Sequence, residues 1–275
     1  MSAPAVSVLM PAYNSEPHID EAVRSVIGQT FDDWELVVVD DGSRDATREI
    51  VSSFHDPRII VHALPTNEGL VAALNYGLSQ CRAPLVARFD ADDRCHPCRL
   101  EKQVERMGAD AGLGVLGTSA REIDAAGTAI GELRSPTGRS LIDRLVWRNA
   151  LIHPSVMFRK DVIEAVGGYR AVAGRYEDFD LWLRVASIAD MDNIDETLLD
   201  YRVHAGQVTA RRTFGWRAAN AVGRSRIALA RCREESSLAA SARQACWLLW
   251  QVRREIPIAR PRRFHNGPLE SVGAK

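Results

Sequence analysis

The side chains best suited to chemistry are the carboxylates of Asp90-Ala91-Asp92-Asp93, which follow an apolar segment. Carboxylates are hard oxygen ligands that suit Mg²⁺ or Mn²⁺, and these cations bridge to phosphate oxygens. The D-x-D spacing lets Asp90 and Asp92 converge from the bend where a strand ends. An Asp-rich turn capping the helix expected at Pro97 is the alternative. The spacing alone leaves both open, and the preceding strand favours a metal site.

A second acidic segment, Asp40-Asp41-Gly42-Ser43, also follows an apolar run. A carboxylate at the end of a strand can accept hydrogen bonds from a base or a ribose hydroxyl. Helix capping, shared with Asp45, is the simpler explanation of this segment taken alone. Two acidic segments at the ends of parallel strands of one sheet favour a nucleotide site instead.

A third acidic group lies in the segment from Tyr176 to Trp182. We expect Asp180 to cap a helix and Trp182 to lie in the core. Glu177 and Asp178 are expected before that helix, where a carboxylate can face a cleft. One of them is a candidate general base, because abstraction of a hydroxyl proton commonly uses a positioned Asp or Glu.

Continuous apolar runs alternate with helical spacing over the first 110 residues, and this alternation supplies the elements that position the acids. It predicts a doubly wound, mostly parallel α/β sheet, whose ligands bind beyond the carboxyl ends of the strands. The predicted strands are Val6–Met10, Trp34–Val39, Ile59–His62 and Leu85–Phe89; the predicted helices are Ile19–Ile27, one capped by Asp45 that runs through Ser53, Gly69–Cys81, and one from Pro97 to about Gly108.

The remaining chain has a looser pattern. We expect strands at Leu113–Ser119, Ser155–Arg159 and Leu198–Val203, helices at Asp161–Val166 and Asp180–Ser187, and a loop or lid with helical turns over residues 135–152. The Ala- and Arg-rich stretch from about Phe214 to Ile256 has helical spacing, and residues 257–275 resemble a frayed tail. We therefore divide the chain into a domain of residues 1–210 and a basic helical extension and tail of residues 211–275.

Charge is unevenly distributed along the 275 residues, although the net charge is only -1. The chain from Arg211 to Lys275 holds 14 basic and 4 acidic residues, which suggests a membrane surface or phosphates as its partner, or simply a solvated helical face.

Five cysteines without framework spacing fit a reducing compartment. With no signal peptide and no membrane-spanning stretch, we expect a cytoplasmic protein, peripheral at most, with no nucleic-acid partner.

Three further patterns carry little weight. Gly112-x-Gly114-x-x-Gly117 matches the dinucleotide fingerprint, but it follows a helix and leads into a strand, which is the reverse of what that fingerprint needs. Cys95 and Cys98 form a C-x-x-C without the second pair that zinc requires. His153 and His204 lie near other candidates, but a lone histidine is more often a hydrogen-bonded core residue than a ligand.

Seven ordered stretches, which span most of residues 5–205 and end at Thr209, resemble glycosyltransferase family 2, a family of inverting enzymes with the GT-A fold. They read VSVLMPAYN, SVIGQTFDDWELVVVDDGSRDAT, NEGLVAALNYGL, VARFDADDRCHPCRLEKQV, HPSVMFRK, YEDFDLWLR and YRVHAGQVT. Processive relatives carry Q-x-x-R-W and membrane helices. Here Gln207 is followed by Val208, Thr209, Ala210 and Arg211, so we expect single additions and not polymer synthesis.

The resemblance also implies roles for individual residues. It makes Asp178 the catalytic base with Glu177 beside it, and it makes Asp92 the direct metal ligand. Asp90 would lie nearer the ribose while also contributing to the metal site, and His204 would lie near the diphosphate and the metal. The residues implied to line the nucleotide pocket are Pro11, Tyr13, Asp40, Asp41, Asn67 and Gly69, with Asp41 on the pyrimidine.

The implied reaction is sugar transfer from a nucleotide-sugar donor, most often a UDP-sugar, to a hydroxyl of a glycan or lipid-linked acceptor, with Mn²⁺ or Mg²⁺ as cofactor. Cell-surface or secondary glycan synthesis is the implied setting. Two other classes remain as alternatives. One is a non-catalytic sugar-nucleotide-binding protein on the same fold, and the other is a nicotinamide oxidoreductase, for which only the misplaced glycines argue.

Overall fold

The computed structural model describes residues 3–204 and 215–255, with one continuous sheet as the scaffold. Its first half contains four parallel strands in the order β3-β2-β1-β4, which confirms the predicted doubly wound arrangement. The elements are β1 (Val6–Ala12), α1 (Ile19–Ile27), β2 (Trp34–Asp40), α2 (Thr47–Ser52), β3 (Ile59–Ala63), α3 (Leu70–Gln80), β4 (Leu85–Arg88), β5 (Arg94–Cys95) and α4 (Arg99–Ala109).

The second half extends the same sheet but mixes strand directions. A short strand, β8 (Met157–Arg159), lies antiparallel between β4 and β6 (Leu113–Ile123), and β6 pairs in parallel with β9 (Asp190–Arg202). The remaining elements are β7 (Ala129–Leu133), α5 (Gly138–Leu145), α6 (Lys160–Ala165), α7 (Glu177–Val185), α8 (Trp216–Cys232) and α9 (Ser237–Glu255). The helical turns expected within residues 135–152 are therefore present as α5.

Alternating side chains of the parallel strands enter two cores, one on each face of the sheet. Val8 and Met10 of β1 pack with α1 and α4, whereas Leu9 packs on the opposite face with α3. Because side chains point to opposite faces at every step along a strand, a continuous apolar run is what a sheet covered on both sides requires. Each fully buried Val or Leu contributes about 1.5–3 kcal/mol relative to an exposed one.

The helical extension is confirmed as α8 and α9, and α8 shares a core with the sheet domain. Ala219, Val222 and Leu229 of α8 lie in the same apolar cluster as Phe179 and Trp182 of α7. The division at residue 210 stays a prediction, and residues 205–214 and 256–275, including Gln207 and the predicted tail, lie outside the described residues.

Three sequence expectations were wrong in detail. Glu177 and Asp178 lie in the first turn of α7, not before it. Asp180 does not cap this helix but is buried, where it pairs with Arg170 and Arg184, because two guanidinium groups and the Ser225 hydroxyl compensate its charge. Strand β9 begins at Asp190, eight residues before the predicted start, because its early residues pair with β6 despite their polarity.

The weak sequence patterns also received structural explanations. Gly112 directly precedes β6, and Gly114 and Gly117 lie within it, so these glycines do not form a strand–turn–helix phosphate loop. The His153 Nε2 atom lies 2.9 Å from the Tyr169 hydroxyl, and the His153 ring packs edge-on against Trp182. His153 is therefore a hydrogen-bonded residue of the core, as the more common behaviour of a lone histidine suggested.

Candidate active site

The register of the parallel strands brings the first two acidic segments to one edge of the sheet. Strand β1 lies between β2 and β4, with Ala12 opposite Asp40 on one side and Leu9 opposite Arg88 on the other. Because the three strands run in the same direction, the segments that follow β2 and β4 leave the sheet at the same end. The sheet thus holds Asp40 and Asp90 on either side of the end of β1.

The segment after β4 forms a compact acidic cluster. One carboxylate oxygen from each of Asp90, Asp92 and Asp93 lies within 4.8 Å of the others. The His204 Nε2 atom lies 2.9 Å from Asp92 Oδ2. Among the described residues, Asp93 Oδ2 is buried without a hydrogen-bond partner. Oxygen donors that converge in this way, one of them unsatisfied, fit a divalent cation such as Mg²⁺ or Mn²⁺.

Without a cation, the negative charges of this cluster repel one another. Burial raises the pKa of Asp90, and the neighbouring Asp92 raises it further, while Arg88 opposes both effects. Burial raises the pKa of Asp93 well above its usual range, and Asp90 and Asp92 add to that shift. Like charges in a low-dielectric site favour protonation, so the cluster has an electrostatic reason to bind a divalent cation.

A buried arginine from β9 fixes the position of this cluster. The Arg202 backbone N–H donates to Asp93 Oδ1 at 2.8 Å, and its Nε–H donates to the Asp92 carbonyl oxygen at 2.7 Å. Arg202 Nη2 also donates to Glu21 of α1 at 2.5 Å. The acidic turn is therefore tied to a distant strand and to the first helix, which restricts the directions in which its carboxylates point.

A polar cleft of about 440 Å³ lies beside the end of β2. Three of the predicted nucleotide-binding residues, Tyr13, Asp40 and Asn67, line it. Tyr13 is 43% exposed, so its ring is available to a planar ligand. Gly42 has a φ of 70°, and a Cβ there would lie 2.7 Å from the Thr66 carbonyl carbon, so this wall requires glycine. The cleft is within the usual size range of a small-molecule site.

Other predicted nucleotide residues lie behind this cleft. Both carboxylate oxygens of the buried Asp41 accept hydrogen bonds from backbone N–H groups, those of Glu68 and Gly69, at 2.8 and 2.9 Å. Pro11 is buried within β1. Asp41 therefore holds the loop that carries Asn67, and its direct contact with a base stays a prediction, as do the roles of Pro11 and Gly69.

The third acidic group, Glu177 and Asp178, is partly buried in the first turn of α7. Asp178 Oδ1 accepts the Phe179 backbone N–H at 2.6 Å, and Oδ2 accepts the Asn149 side-chain amide at 2.5 Å. Burial raises the pKa of Asp178, while these two hydrogen bonds and the charge of Arg88 oppose that shift. Burial, with the neighbouring Asp178, raises the pKa of Glu177 to about 7.

The two carboxyl groups thus have different environments. Asp178 has the hydrogen-bond donors that favour a carboxylate, whereas Glu177 is held closer to its neutral form at pH 7. The Asp90 charge also raises the Glu177 pKa, which relates this pair electrostatically to the acidic cluster. A carboxylate in a partly dry environment can accept a proton from a bound hydroxyl group.

Three residues of this arrangement were not singled out from the sequence: Asn149, Arg88 and Arg202. Asn149 lies in a segment for which we expected only a loop or lid with helical turns, and the two arginines act on residues brought close only by the fold. Asp93 was part of the acidic segment after β4, but the sequence assigned it no role as a ligand. Asn149 is 29 positions from Asp178, and Arg202 is 110 positions from Asp92.

The mostly parallel sheet, with the polar cleft and the acidic segments at its strand ends, has the arrangement of a GT-A fold. The crystal structure of residues 1–349 of Staphylococcus aureus TarS with UDP-GlcNAc superposes with a TM-score of 0.72 at 21% identity, covering 88% of this chain and 71% of that one. Pyrobaculum calidifontis mannosyltransferase PcManGT, with GDP-Man and Mn²⁺, gives 0.58 at 18% identity, covering 92% and 76%. At these identities the likeness shows the fold alone.

Sequence comparison identifies the family. A profile described as "Glycosyl transferase family 2" matches residues 7–167. The O-antigen biosynthesis glycosyltransferase WbnJ of Escherichia coli is 35% identical over 72% of this chain and 80% of that protein. The E. coli UDP-Gal:alpha-D-GlcNAc-diphosphoundecaprenol beta-1,3-galactosyltransferase is 33% identical over 77% and 78%. The chain belongs to glycosyltransferase family 2.

Proposed function

We propose that this glycosyltransferase moves a single sugar, with inversion, from a UDP-sugar to a hydroxyl group of a growing surface glycan. The observation that carries the proposal is a single GT-A domain that holds a polar cleft of small-molecule size beside the end of β2, the Asp90–Asp93 cluster after β4 and the Glu177–Asp178 pair at the start of α7. The names of the two E. coli relatives support an acceptor in cell-surface polysaccharide synthesis, and one of them uses UDP-Gal. That relative's diphosphoundecaprenol substrate supports a lipid-linked acceptor.

In the proposed reaction Asp178 acts as the base. The acceptor oxygen forms a bond to the anomeric carbon, the bond from that carbon to the nucleotide diphosphate breaks, and the diphosphate leaves with the bonding electrons. The acceptor proton passes to Asp178, which the Phe179 N–H and Asn149 hold in place. Displacement from the face opposite the leaving group inverts the anomeric centre, and positive charge develops on the ring as in glycoside hydrolysis.

Asp92, Asp90, Asp93 and His204 are the residues that would hold Mn²⁺ or Mg²⁺. The cation would neutralise the charge that develops on the departing diphosphate. Tyr13, Asp40 and Asn67 would bind the nucleoside in the polar cleft, while Asp41 holds the wall of that cleft through Glu68 and Gly69. In this proposal, separate groups of residues bind the nucleoside, bind the diphosphate through the cation and accept the proton.

A titration with UDP, GDP, dTDP and NADH, each with and without Mn²⁺, tests the donor half of this proposal. We expect UDP to bind most tightly and only with the cation, because the carboxylate cluster repels a bare diphosphate. Isothermal calorimetry measures the affinities, and a donor-hydrolysis screen over UDP-sugars then identifies the sugar. Tighter binding of NADH than of UDP would contradict the proposal. So would a UDP affinity in EDTA equal to that measured with Mn²⁺. UDP binding without turnover of any donor would favour the non-catalytic alternative.

We further propose that α9 places the enzyme at the cytoplasmic face of an anionic membrane, where a lipid-linked acceptor would lie. Leu238 and Leu249 are 80% and 71% exposed, and their spacing of 11 residues places them on one side of the helix with the exposed Ala242 and Ala245 between them. The basic excess after residue 210 complements anionic lipids. Within residues 3–204 and 215–255, none of the helices combines the length and the hydrophobicity that a transmembrane span requires.

Flotation with vesicles of phosphatidylglycerol and phosphatidylcholine tests this membrane contact. We expect the wild-type chain to bind these vesicles and to bind pure phosphatidylcholine vesicles less. Changing both Leu238 and Leu249 to Ser should weaken binding by at least about tenfold, because each buried leucine contributes about 1.5–3 kcal/mol. Ile188→Ser, at another exposed apolar site, is the control. Equal binding by both variants would refute the role of α9.

A further inference from the structure

Helices α8 and α9 pack against the start of α7, the helix that carries the proposed base. Ser225 of α8 donates its hydroxyl to Asp180 Oδ1 at 2.7 Å. Trp247 of α9 lies edge-on to Tyr176, with 5.0 Å between the two ring centroids. The helical extension therefore forms part of the surroundings of the proposed base, and the proposed reaction assigns these contacts no role.

Arg226 is the charged residue at the centre of this packing. It lies on α8 and is 1% exposed. Its guanidinium carbon lies 5.5 Å from the ring centroid of Phe179 on α7 and 5.5 Å from that of Trp247 on α9. Its Nη1 atom donates to the Gln244 side chain of α9. A buried cation thus connects three helices.

The same guanidinium also contacts the segment that leads to Asn149. Nη2 of Arg226 donates to the Trp147 carbonyl oxygen at 3.3 Å. Two residues further along, Asn149 Oδ1 accepts the Leu151 backbone N–H at 3.2 Å, and its amide nitrogen donates to Asp178 Oδ2 at 2.5 Å. Arg226 therefore fixes the backbone from which the Asn149 side chain extends to the proposed base.

These contacts bring Arg226 to both segments that hold the proposed base. The two hydrogen bonds to the Asp178 carboxylate come from the Phe179 backbone N–H and from the Asn149 side chain. Arg226 lies over the ring of Phe179 and donates to Trp147, two residues before Asn149. One side chain of α8 thus joins the start of α7 to the segment before Asn149.

The Arg226 position is an energetically costly one for an arginine. Among the described residues its Nε atom is buried and has no hydrogen-bond partner. Burial lowers the pKa of Arg226 to about 10, and the charge of Arg243 adds to that shift. An apolar side chain of similar volume would avoid this cost, so packing alone does not explain an arginine here. The contacts that only a guanidinium makes are the better explanation.

We propose that Arg226 is a positioning residue for sugar transfer: its buried guanidinium joins the Trp147–Asn149 segment to the start of α7 and so holds the Asp178 carboxylate between its two hydrogen-bond donors. This inference rests on the proposed role of Asp178 as base. A displacement of about 1 Å at a reacting group can cost about 10²-fold in rate, so a contact that only fixes position can have a large effect on kcat. The helical extension then contributes to transfer itself, in addition to the proposed membrane contact.

Arg226→Met tests this inference, because methionine fills a similar volume and removes the guanidinium contacts. We expect kcat, measured at saturating donor, acceptor and Mn²⁺, to fall by about tenfold or more. UDP affinity should be unchanged, because the residues lining the polar cleft lie between Tyr13 and Asn67. The temperature of thermal unfolding should not fall, since replacing buried charges with apolar side chains is often neutral or stabilising. A purely structural residue would show the reverse: a lower unfolding temperature with an unchanged kcat per UDP-binding site.

Arg224→Met is the matched control, because Arg224 lies on the same helix but is exposed. We expect this variant to keep the wild-type kcat. Arg226→Gln, whose shorter side chain also loses the guanidinium contacts, replaces Arg226→Met if the latter does not fold. The active fraction of every variant is measured as the number of UDP-binding sites per chain, so that kcat refers to folded protein.

A double-mutant cycle with Asn149→Ala tests whether Arg226 acts through the segment before Asn149. Once the Asn149 side chain is absent, fixing its backbone has less effect on Asp178. Arg226→Met should therefore lower kcat by about threefold at most in the Asn149→Ala background, because substitutions at coupled positions are not additive. Two residues that affect kcat independently would instead give the same factor in both backgrounds.

The outcomes separate the role of Arg226 from the role of the base. Equal factors in both backgrounds, or a kcat for Arg226→Met equal to that of Arg224→Met, would overturn the inference. Loss of UDP affinity together with kcat would also overturn it, because Arg226 would then support the donor site. Each of these results leaves the proposed base intact if Asp178→Asn is inactive. If Asp178→Asn retains transfer, the proposed base fails first, and the inference on Arg226 fails with it.

Discussion

Asp178→Asn is expected to lower kcat for transfer by about 10²–10⁴-fold, the range typical of a lost general base. The substitution keeps the size of the side chain and an oxygen that can accept the Phe179 N–H, but it removes the group that accepts the proton. Donor binding should be nearly unchanged, because Asp178 lies on α7 and not among the residues of the polar cleft or the acidic cluster. Steady-state kinetics and calorimetry with UDP and Mn²⁺ measure the two effects separately.

Asp161→Asn is the control for this experiment. Asp161 lies in the first turn of α6, and its Oδ1 accepts the N–H of the next residue, Val162, at 2.8 Å, the same local bond that Asp178 makes with Phe179. Asp161→Asn therefore makes the same chemical change in the first turn of a helix, but outside the candidate active site. A kcat for Asp178→Asn equal to that of Asp161→Asn would exclude Asp178 as the base. Donor binding lost together with transfer would assign Asp178 to the donor site instead.

Asp92→Ala is expected to abolish metal-dependent donor binding. The Asp92 carboxylate contacts the His204 ring and belongs to the acidic cluster. Its removal leaves the cation His204 and two carboxylates, those of Asp90 and Asp93, which already accept hydrogen bonds from Arg88 and Arg202. Loss of residues that merely support ligands costs 10–100-fold in metal affinity, so loss of a direct ligand should cost at least about 100-fold. UDP titrations at several Mn²⁺ concentrations measure the change.

Asp195→Ala provides the comparison for Asp92→Ala. Asp195 lies on β9 with a side chain that is 73% exposed, and its ion pair with Arg134 is 3.8 Å long. This variant should bind UDP and Mn²⁺ like the wild type. If Asp92→Ala retains the wild-type dependence of UDP affinity on Mn²⁺, the cation is not held at the end of β4, and the proposed donor site would have to be abandoned.

The donor half of the candidate site could be predicted because its signals are local. Asp40 and Asp90 each follow an apolar run directly, and parallel strands present such segments at one edge of a sheet. The structure brings them to that edge on either side of β1. Local signals also predicted both ends of α1 correctly, because an amphipathic segment followed by a glycine indicates a helix that ends at that glycine.

Other features depend on contacts between distant parts of the chain, and no local pattern of residues predicts them. Asn149 meets Asp178 across 29 residues, from a segment for which we expected only a loop or lid with helical turns. Asp41, expected on the pyrimidine, has its carboxylate occupied by the Glu68 and Gly69 N–H groups. Asp180, expected as a cap, became the centre of a buried ion cluster because α8 and two arginines cover it.

The sequence by itself determined the parallel half of the sheet, the family and the positions of the carboxylates along the chain. Apolar periodicity and strand-end acids are properties of neighbouring residues, and these establish elements and their order. The tertiary structure decided how those carboxylates behave: which are compensated by Arg88 and Arg202, which accept backbone N–H groups, and which remain unsatisfied. A pKa and a side-chain direction depend on burial and on charges from other elements, and only packing brings those together.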